Sequence, residues 1–139
     1  MRTRWWLDFP ALMADYKSYH THPMNRLCHA IGIPMLTYCF VHWTRVDGFP
    51  WIMALLGFYV FWDFGLAVIL GLLALVMNLA APWINNWVVA GLFIVGWIFQ
   101  FVGHMVFEGN NPAFAKNLLH LLIGPMWFAQ ALRGFTLRN

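Results

Sequence analysis

Three of the six histidines in this 139-residue chain fall within ten residues, in the stretch YHTHPMNRLCH from Tyr19 to His29. Neutral imidazole is a common ligand of iron and zinc, so several histidines at short spacing can build a metal site. Thr21 or His22 could cap a helix that has Pro23 in its first turn. The stretch therefore places imidazoles before and after the start of a predicted helix.

A second polar group lies about seventy residues further on, at the end of another apolar run. Gln100, His104 and Glu108 are spaced by four, so each step drifts by only about 40° and the three form one stripe on a helix. After an intervening polar loop, Asn117 and His120 again share a helix face. The groups that could together form one site with open coordination positions are His20, His29, His104, and Glu108 or His120.

The composition indicates an integral membrane protein. Hydrophobic residues make up 62% of the chain and charged residues 9%, with 8 Lys+Arg against 5 Asp+Glu. A soluble domain normally carries about a quarter charged residues. We therefore expect an all-α membrane helical bundle that forms a single domain over residues 1–139. No dense basic stripe is present, so no nucleic-acid partner is expected.

The apolar pattern predicts an amphipathic interfacial helix over residues 5–20, followed by four to five hydrophobic helices. Residues 51–81 form an apolar run that is too long for one ordinary upright helix. Pro125 is expected to kink the last helix. The predicted hydrophobic segments are 27–43, 51–81, 87–107 and 114–132.

A metal site shared by the two polar groups requires a break in the 51–81 run. His29 begins the first span and His104 ends the 87–107 span. If the 51–81 run crossed the membrane once, the two histidines would face opposite sides. If the run folds back, they share a side. Asp and Gly are helix-averse, so the break is predicted near Asp63–Gly65.

Basic residues indicate the orientation, since positive flanks mark the cytoplasmic side. Those that precede the first span are Arg2, Arg4, Lys17 and Arg26. The N-terminus and the metal site are therefore predicted to be cytoplasmic, at a bacterial inner membrane or the endoplasmic reticulum.

Gly91, Gly96 and Gly103 permit close helix approach within the bundle or in a homo-oligomer. Cys28 and Cys39 are interpreted as small buried hydrophobes.

The two polar blocks resemble the signatures of a known family. YHTHPMNRLCHAIGIP resembles Tyr-His-x4-Asn-x3-His followed by Gly-x-Pro. QFVGHMVFEGNNPAF with NLLHLLIGP resembles Gln-Phe-x-Gly-His-x3-Glu followed by Pro-Ala, Asn and a late Pro. The family is that of the 2-hydroxy fatty acid dioxygenases, small membrane proteins of bacteria and fungi.

This resemblance implies an Fe(II)-dependent enzyme that shortens a long-chain 2-hydroxy fatty acid by one carbon with dioxygen, a step of fatty-acid α-oxidation. It implies iron ligands at His20, His29 and His104. His22 and His120, at positions where the family pattern does not require histidine, are weaker candidates. Glu108 and Asn25 match motif positions and are the candidate catalytic residues. Arg26 shares a helix face with His29 and could anchor the substrate carboxylate, although its position before the first span favours a flanking positive residue.

Other classes of membrane protein compete with this interpretation. A di-metal hydroxylase or desaturase would use HxxxH and HxxHH boxes, which are absent from the chain. A bis-histidine haem protein needs facing imidazoles deep within spans. A transporter or scaffold could carry the same histidines for structural reasons, as we expect for His42 beside Trp43 at a span end.

Overall fold

The computed structural model describes the backbone of residues 8–112 and 118–136, and the side chains of these residues up to residue 134. The described backbone is 84% helical. The predicted all-α class is confirmed. In chain order the elements are α1 (Phe9–Ser18), α2 (Pro23–Trp43), a hairpin of β1 (Arg45–Val46) and β2 (Phe49–Pro50), a 3₁₀ turn (Trp51–Ala54), α3 (Leu55–Trp62), α4 (Phe64–Ala80), a 3₁₀ turn (Ala81–Trp83), α5 (Asn86–Val102), a π-helical segment (Gly103–Glu108) and α6 (Leu119–Thr136).

Helix α1 is amphipathic, but its apolar side faces the protein. Asp8 caps it by accepting a hydrogen bond from the Ala11 amide at 3.1 Å. Phe9 stacks on Trp62 of α3 at 5.5 Å between ring centroids. The buried side chains of this helix are Phe9, Leu12, Met13 and Tyr16. The apolar stripe of the predicted interfacial helix is therefore part of the protein core, because α3 and α6 cover it. The first residues expected in this helix, 5–7, lie outside the described residues.

Helix α2 begins where the sequence predicted a cap followed by proline. His22 is the N-cap, and its Nδ1 accepts from the Met24 amide at 3.2 Å, with Pro23 in the first turn. At its other end, Asp47 and Gly48 both have positive φ, 52° and 82°. Two such residues are what a tight hairpin turn requires. The chain therefore reverses directly after α2.

The apolar run breaks at Asp63, within the predicted Asp63–Gly65 segment. Helix α3 ends at Trp62, and Asp63 is extended, with φ −157°. Its Oδ1 accepts from the Leu66 amide at 2.9 Å and so caps α4, while Oδ2 accepts from Arg133 of α6 at 3.4 Å. The break is held by a cap and a tertiary contact, and it returns α5 toward the start of α2.

Glycines allow α2 and α5 to cross closely. A Cβ added at Gly32 would lie 2.9 Å from the Gly96 carbonyl oxygen, and one at Gly96 would lie 2.9 Å from Leu36 Cγ. Gly103 approaches Asn25 in the same way, whereas Gly91 has no atom within 4 Å of such a Cβ. Among the three glycines predicted to permit close approach, Gly96 and Gly103 therefore do so in this chain.

Two helical stretches among the described residues are long and apolar enough to cross a membrane, Phe64–Trp83 and Asn86–Glu108. The apolar stretch Trp51–Trp62 is shorter. The prediction of four to five hydrophobic helices is thus matched in part. Cys28 and Cys39 are free and buried, which agrees with their interpretation as small hydrophobes.

Candidate metal centre

His20 lies in the short connection between α1 and α2 and is 4% exposed. Its Nδ1 is 2.6 Å from the carbonyl oxygen of Tyr16, and its ring stacks on the Tyr16 ring at 4.1 Å. A carbonyl only accepts, so Nδ1 donates and Nε2 keeps its lone pair. That Nε2 atom is buried and has no hydrogen-bond partner among the described residues.

His29 lies two turns into α2 and is held in the same way. Its Nδ1 donates to the carbonyl oxygen of Asn25 at 3.0 Å, one helical turn earlier. The side chain is 3% exposed. Ligating histidines commonly donate their second ring N–H to a carbonyl, which fixes the tautomer and the ring orientation. Both His20 and His29 therefore keep the lone pair of the other nitrogen, Nε2, available to a metal ion.

His104 comes from the π-helical segment that continues α5. Short π-helical turns inside α-helices occur frequently at functional sites. The preceding Gly103 lets this segment approach α2, since a Cβ at that position would be 3.1 Å from Cys28 Cβ. His104 is 3% exposed, and its Nδ1 has no hydrogen-bond partner within the described part of the chain.

The structure brings these three histidines together. Their ring centroids are 4.3 Å apart for His20 and His29, and 4.7 Å apart for each of these with His104. One nitrogen from each lies within 4.8 Å of the others. Buried imidazoles that share no hydrogen bond with one another, two of them held by backbone carbonyls outside the group, are suited to a shared cation.

The protonation state of His20 also suits a metal ligand. Burial is the main cause that lowers its pKa to about 4, and the neighbouring His104 adds to this. Its imidazole is therefore neutral at pH 7, which is the form that binds metal.

Glu108 ends the π-helical segment and fastens it to the start of α2. Its Oε2 accepts from the Thr21 hydroxyl at 3.0 Å, and its Oε1 accepts from the backbone amide of His22 at 2.5 Å. A carboxylate at a helix N-terminus is favourable, because it satisfies an amide that has no partner within the helix. Glu108 lies outside the three-histidine group, and this contact holds the connection that carries His20.

A conservative change at Glu108 separates this role from metal ligation. We expect Glu108→Gln to lower the free energy of unfolding by about 1 kcal/mol, because an acceptor for charge-assisted hydrogen bonds is lost at a partly exposed position. Thermal unfolding measures this, and metal analysis should show unchanged stoichiometry. Loss of the metal without loss of stability would instead identify Glu108 as a ligand.

The remaining candidates take different positions around the site. Asn25 is fully buried, and its Nδ2 donates to the Tyr19 carbonyl at 3.1 Å, which braces the connection before α2. His22 caps α2, and its ring stacks on Phe107 at 5.5 Å. Arg26 is exposed and does not contribute to the cavity described below.

His120 projects from α6 toward the same region and is 4% exposed. Its Nε2 lies 2.8 Å from the Asp15 carboxylate of α1. It is not a member of the three-histidine group. Sequence reasoning missed Asp15, because the pair joins residues 105 positions apart and leaves no local pattern. The hydrogen bond from His20 to the Tyr16 carbonyl, by contrast, spans only one helical turn and could have been inferred from the sequence.

A largely apolar cavity of about 290 Å³ adjoins the histidines. It follows α2 from His29 to Val41, which is about 18 Å at 1.5 Å per residue. Ile52 and Met53 also form part of its wall. His42 is outside this cavity and pairs with Asn86 at 3.0 Å, at the opposite end of α2 from His29. The cavity joins a polar, metal-suited end to a long apolar channel.

Together these features define an all-α protein with a candidate metal centre, a buried three-histidine group at one end of a largely apolar channel. Residues 7–136 match the family model described as "2-hydroxy-palmitic acid dioxygenase Mpo1-like", and the chain belongs to this Mpo1-like family. It is 35% identical to the 2-hydroxy-palmitic acid dioxygenase MPO1 of Saccharomyces cerevisiae, over 88% of this chain and 77% of that protein. No solved structure matches the chain.

Proposed function

We propose that this protein is an Fe(II)-dependent dioxygenase that shortens a long-chain 2-hydroxy fatty acid by one carbon. The observation that carries the proposal is the three-histidine group at the end of the apolar cavity. Family membership and the yeast relative's name support the substrate class. The overall reaction balances as R–CH(OH)–COOH plus O₂ giving R–COOH, CO₂ and H₂O, so dioxygen takes up all the electrons released.

His20, His29 and His104 are the proposed iron ligands. The donor set fits, because neutral imidazole suits iron and three protein ligands leave coordination positions open. Bound Fe(II) would supply redox chemistry and a template for the substrate oxygens and dioxygen. The backbone carbonyls of Tyr16 and Asn25 hold the rings of His20 and His29, and Glu108 fixes the connection before α2.

The apolar channel is proposed to hold the acyl chain. Its volume, about 290 Å³, is near the lower end of the range for small-molecule sites. The channel passes between α2, α3 and α6, with Ile33, Leu56 and Leu122 among its wall residues. The polar head would then lie at the histidines and the methyl end beside Val41.

The protein is proposed to work in a membrane. The most hydrophobic windows of the two candidate spans are each only 28% buried, whereas a core helix of a soluble protein is mostly buried. Large side chains such as Leu72, Trp83 and Trp87 are at least 60% exposed. Lipid would cover this surface. The exposed Lys17 and Arg26 lie in the sequence before and after His20, which favours a cytoplasmic position for the site.

The reaction itself can be tested directly. The purified full-length protein is loaded with Fe(II) without oxygen, mixed with 2-hydroxypalmitic acid and exposed to air. We expect mass spectrometry to show the saturated acid with one carbon fewer, and no product when iron is omitted or when palmitic acid replaces the hydroxy acid. A protein that binds iron but leaves the hydroxy acid unchanged would contradict the proposal and favour a non-catalytic role.

A further inference from the structure

The pair formed by Asp15 and His120 is not used by the proposed metal centre. Its Nε2–Oδ2 distance is 2.8 Å. The His120 side chain is buried, while Asp15 is half exposed, with 52% of its side chain accessible. The rings of Tyr16 and Tyr19 both meet the imidazole edge-on, with centroids at 5.8 Å. The imidazole is thus fixed in position by contacts on several sides.

This pairing determines which nitrogen of His120 can act on a ligand. A carboxylate only accepts hydrogen bonds, so Nε2 of His120 donates to Asp15. In the neutral ring Nδ1 is then an acceptor. That atom is buried and has no partner among the described residues, and His120 forms part of the cavity wall beside His20 and His104. The wall of the cavity that holds the three-histidine group therefore includes a residue with an unpartnered acceptor and a ring of fixed orientation.

The chemistry of an acceptor selects among the groups of a 2-hydroxy acid. A carboxylate has no hydrogen to donate and would be repelled by the lone pair, whereas a hydroxyl group donates. We propose that Nδ1 of His120 accepts a hydrogen bond from the 2-hydroxyl group of the fatty acid, and that Asp15 is the positioning residue that keeps this nitrogen an acceptor. This inference rests on the proposed function and assigns part of its substrate selectivity to two residues.

Selectivity for the hydroxyl follows from the cost of leaving a buried acceptor without a partner. An unsubstituted fatty acid of the same length would fill the channel but could not satisfy Nδ1 of His120. The lost hydrogen bond corresponds to about a tenfold difference in affinity. In a metal-free protein chelation cannot contribute, so the part of the preference for the hydroxy acid that a change at His120 removes measures the effect of this residue.

The test compares the binding of 2-hydroxypalmitic acid and palmitic acid to the full-length protein by calorimetry. Measurements are made after chelation and again after anaerobic loading with Fe(II). We expect metal-free wild type to favour the hydroxy acid about tenfold. His120→Leu should bring the ratio close to one and leave the iron stoichiometry unchanged. His42→Leu, which changes a histidine outside the cavity, should keep the wild-type ratio.

Asp15→Asn provides a second variant with little change of shape. Asp15 is not part of the cavity wall, yet its amide could donate to Nε2 and favour the other tautomer, so the ratio should fall. A wild-type ratio of one, unchanged ratios in both variants, or loss of iron from His120→Leu would overturn the inference. If the inference is overturned but iron-loaded wild type still shortens the hydroxy acid, the proposed function stands without the inference. If wild type binds neither acid, the inference and the proposed function both fail.

Discussion

Replacing His20, His29 or His104 singly with alanine is expected to abolish stoichiometric iron binding. Each side chain supplies one nitrogen to a group whose ligand atoms lie within 4.8 Å of one another, so each variant removes one of the three proposed ligands. Loss of a residue that merely supports a ligand typically costs 10–100-fold in metal affinity. Removal of a ligand should therefore cost more than about 100-fold. Metal analysis after anaerobic loading and desalting measures the effect.

The matched control for these variants is His42→Ala. His42 is also on α2, and its ring is hydrogen-bonded to Asn86 at 3.0 Å, but it lies at the far end of the helix from His29. It should retain about one iron per chain. Circular dichroism should show that all four variants keep their helices. Full iron occupancy in any one of the three site variants would remove that residue from the ligand set.

The same variants should lose the oxygenase reaction, because the substrate head would meet no metal. Binding of the acyl chain should persist, since the channel walls near Ile33, Leu56 and Val41 are untouched. A variant that lost iron but still produced the shortened acid would contradict the proposed iron dependence. Metal content and turnover therefore test the ligand set and the reaction separately.

Much of the fold could be predicted from the sequence because single residues determine where helices begin and end. Pro23 and the cap at His22 determine the start of α2, and Asp63 supplies both the end of α3 and the cap of α4. The requirement that His29 and His104 share a side made the break at Asp63 a necessary condition. The count of crossings left both arrangements open and predicted this break only for a shared site, and the structure has the break at Asp63.

The details of the site were less predictable, because they depend on deviations from regular geometry. The stripe Gln100, His104 and Glu108 assumed α-helical spacing throughout, but the chain widens to a π-helix at Gly103. Gln100 and His104 face the cavity, whereas Glu108 contacts the start of α2. Spacing of polar residues cannot reveal such a change of helical turn.

The contacts of His120 illustrate a second limit. Its pairing with Asp15 depends on how α1 packs against α6, across 105 positions of sequence. The amphipathic pattern of α1 was correctly recognised, but a stripe that suits lipid also suits a protein core. Only the packing of α3 and α6 determines that Tyr16 faces inward and that Asp15 reaches His120.

The closeness of α2 to the π-helical segment makes Gly103, beside the candidate metal centre, sensitive to substitution. Its φ and ψ, −53° and −51°, are ordinary for a helix, so alanine would be tolerated by the backbone itself. The cost comes from contact, since the added Cβ would overlap the Asn25 amide oxygen and lie 3.1 Å from Cys28 Cβ. Asn25 is fully buried and cannot move freely, because its Nδ2 is bound to the Tyr19 carbonyl.

We therefore expect Gly103→Ala to lower the free energy of unfolding by about 1–3 kcal/mol, as overpacking does in close-packed interiors. Displacing the segment would also move His104 from His29, so iron affinity should fall with stability. Gly91→Ala on α5 is the matched control: no atom lies within 4 Å of its added Cβ, and alanine in a helix interior should stabilise by about 0.5–1 kcal/mol. Thermal unfolding and iron titration of both variants measure the two effects. Equal stability of the two variants would mean that α2 and the π-helical segment do not pack as closely as the structure shows, because only that contact gives the substitutions opposite signs.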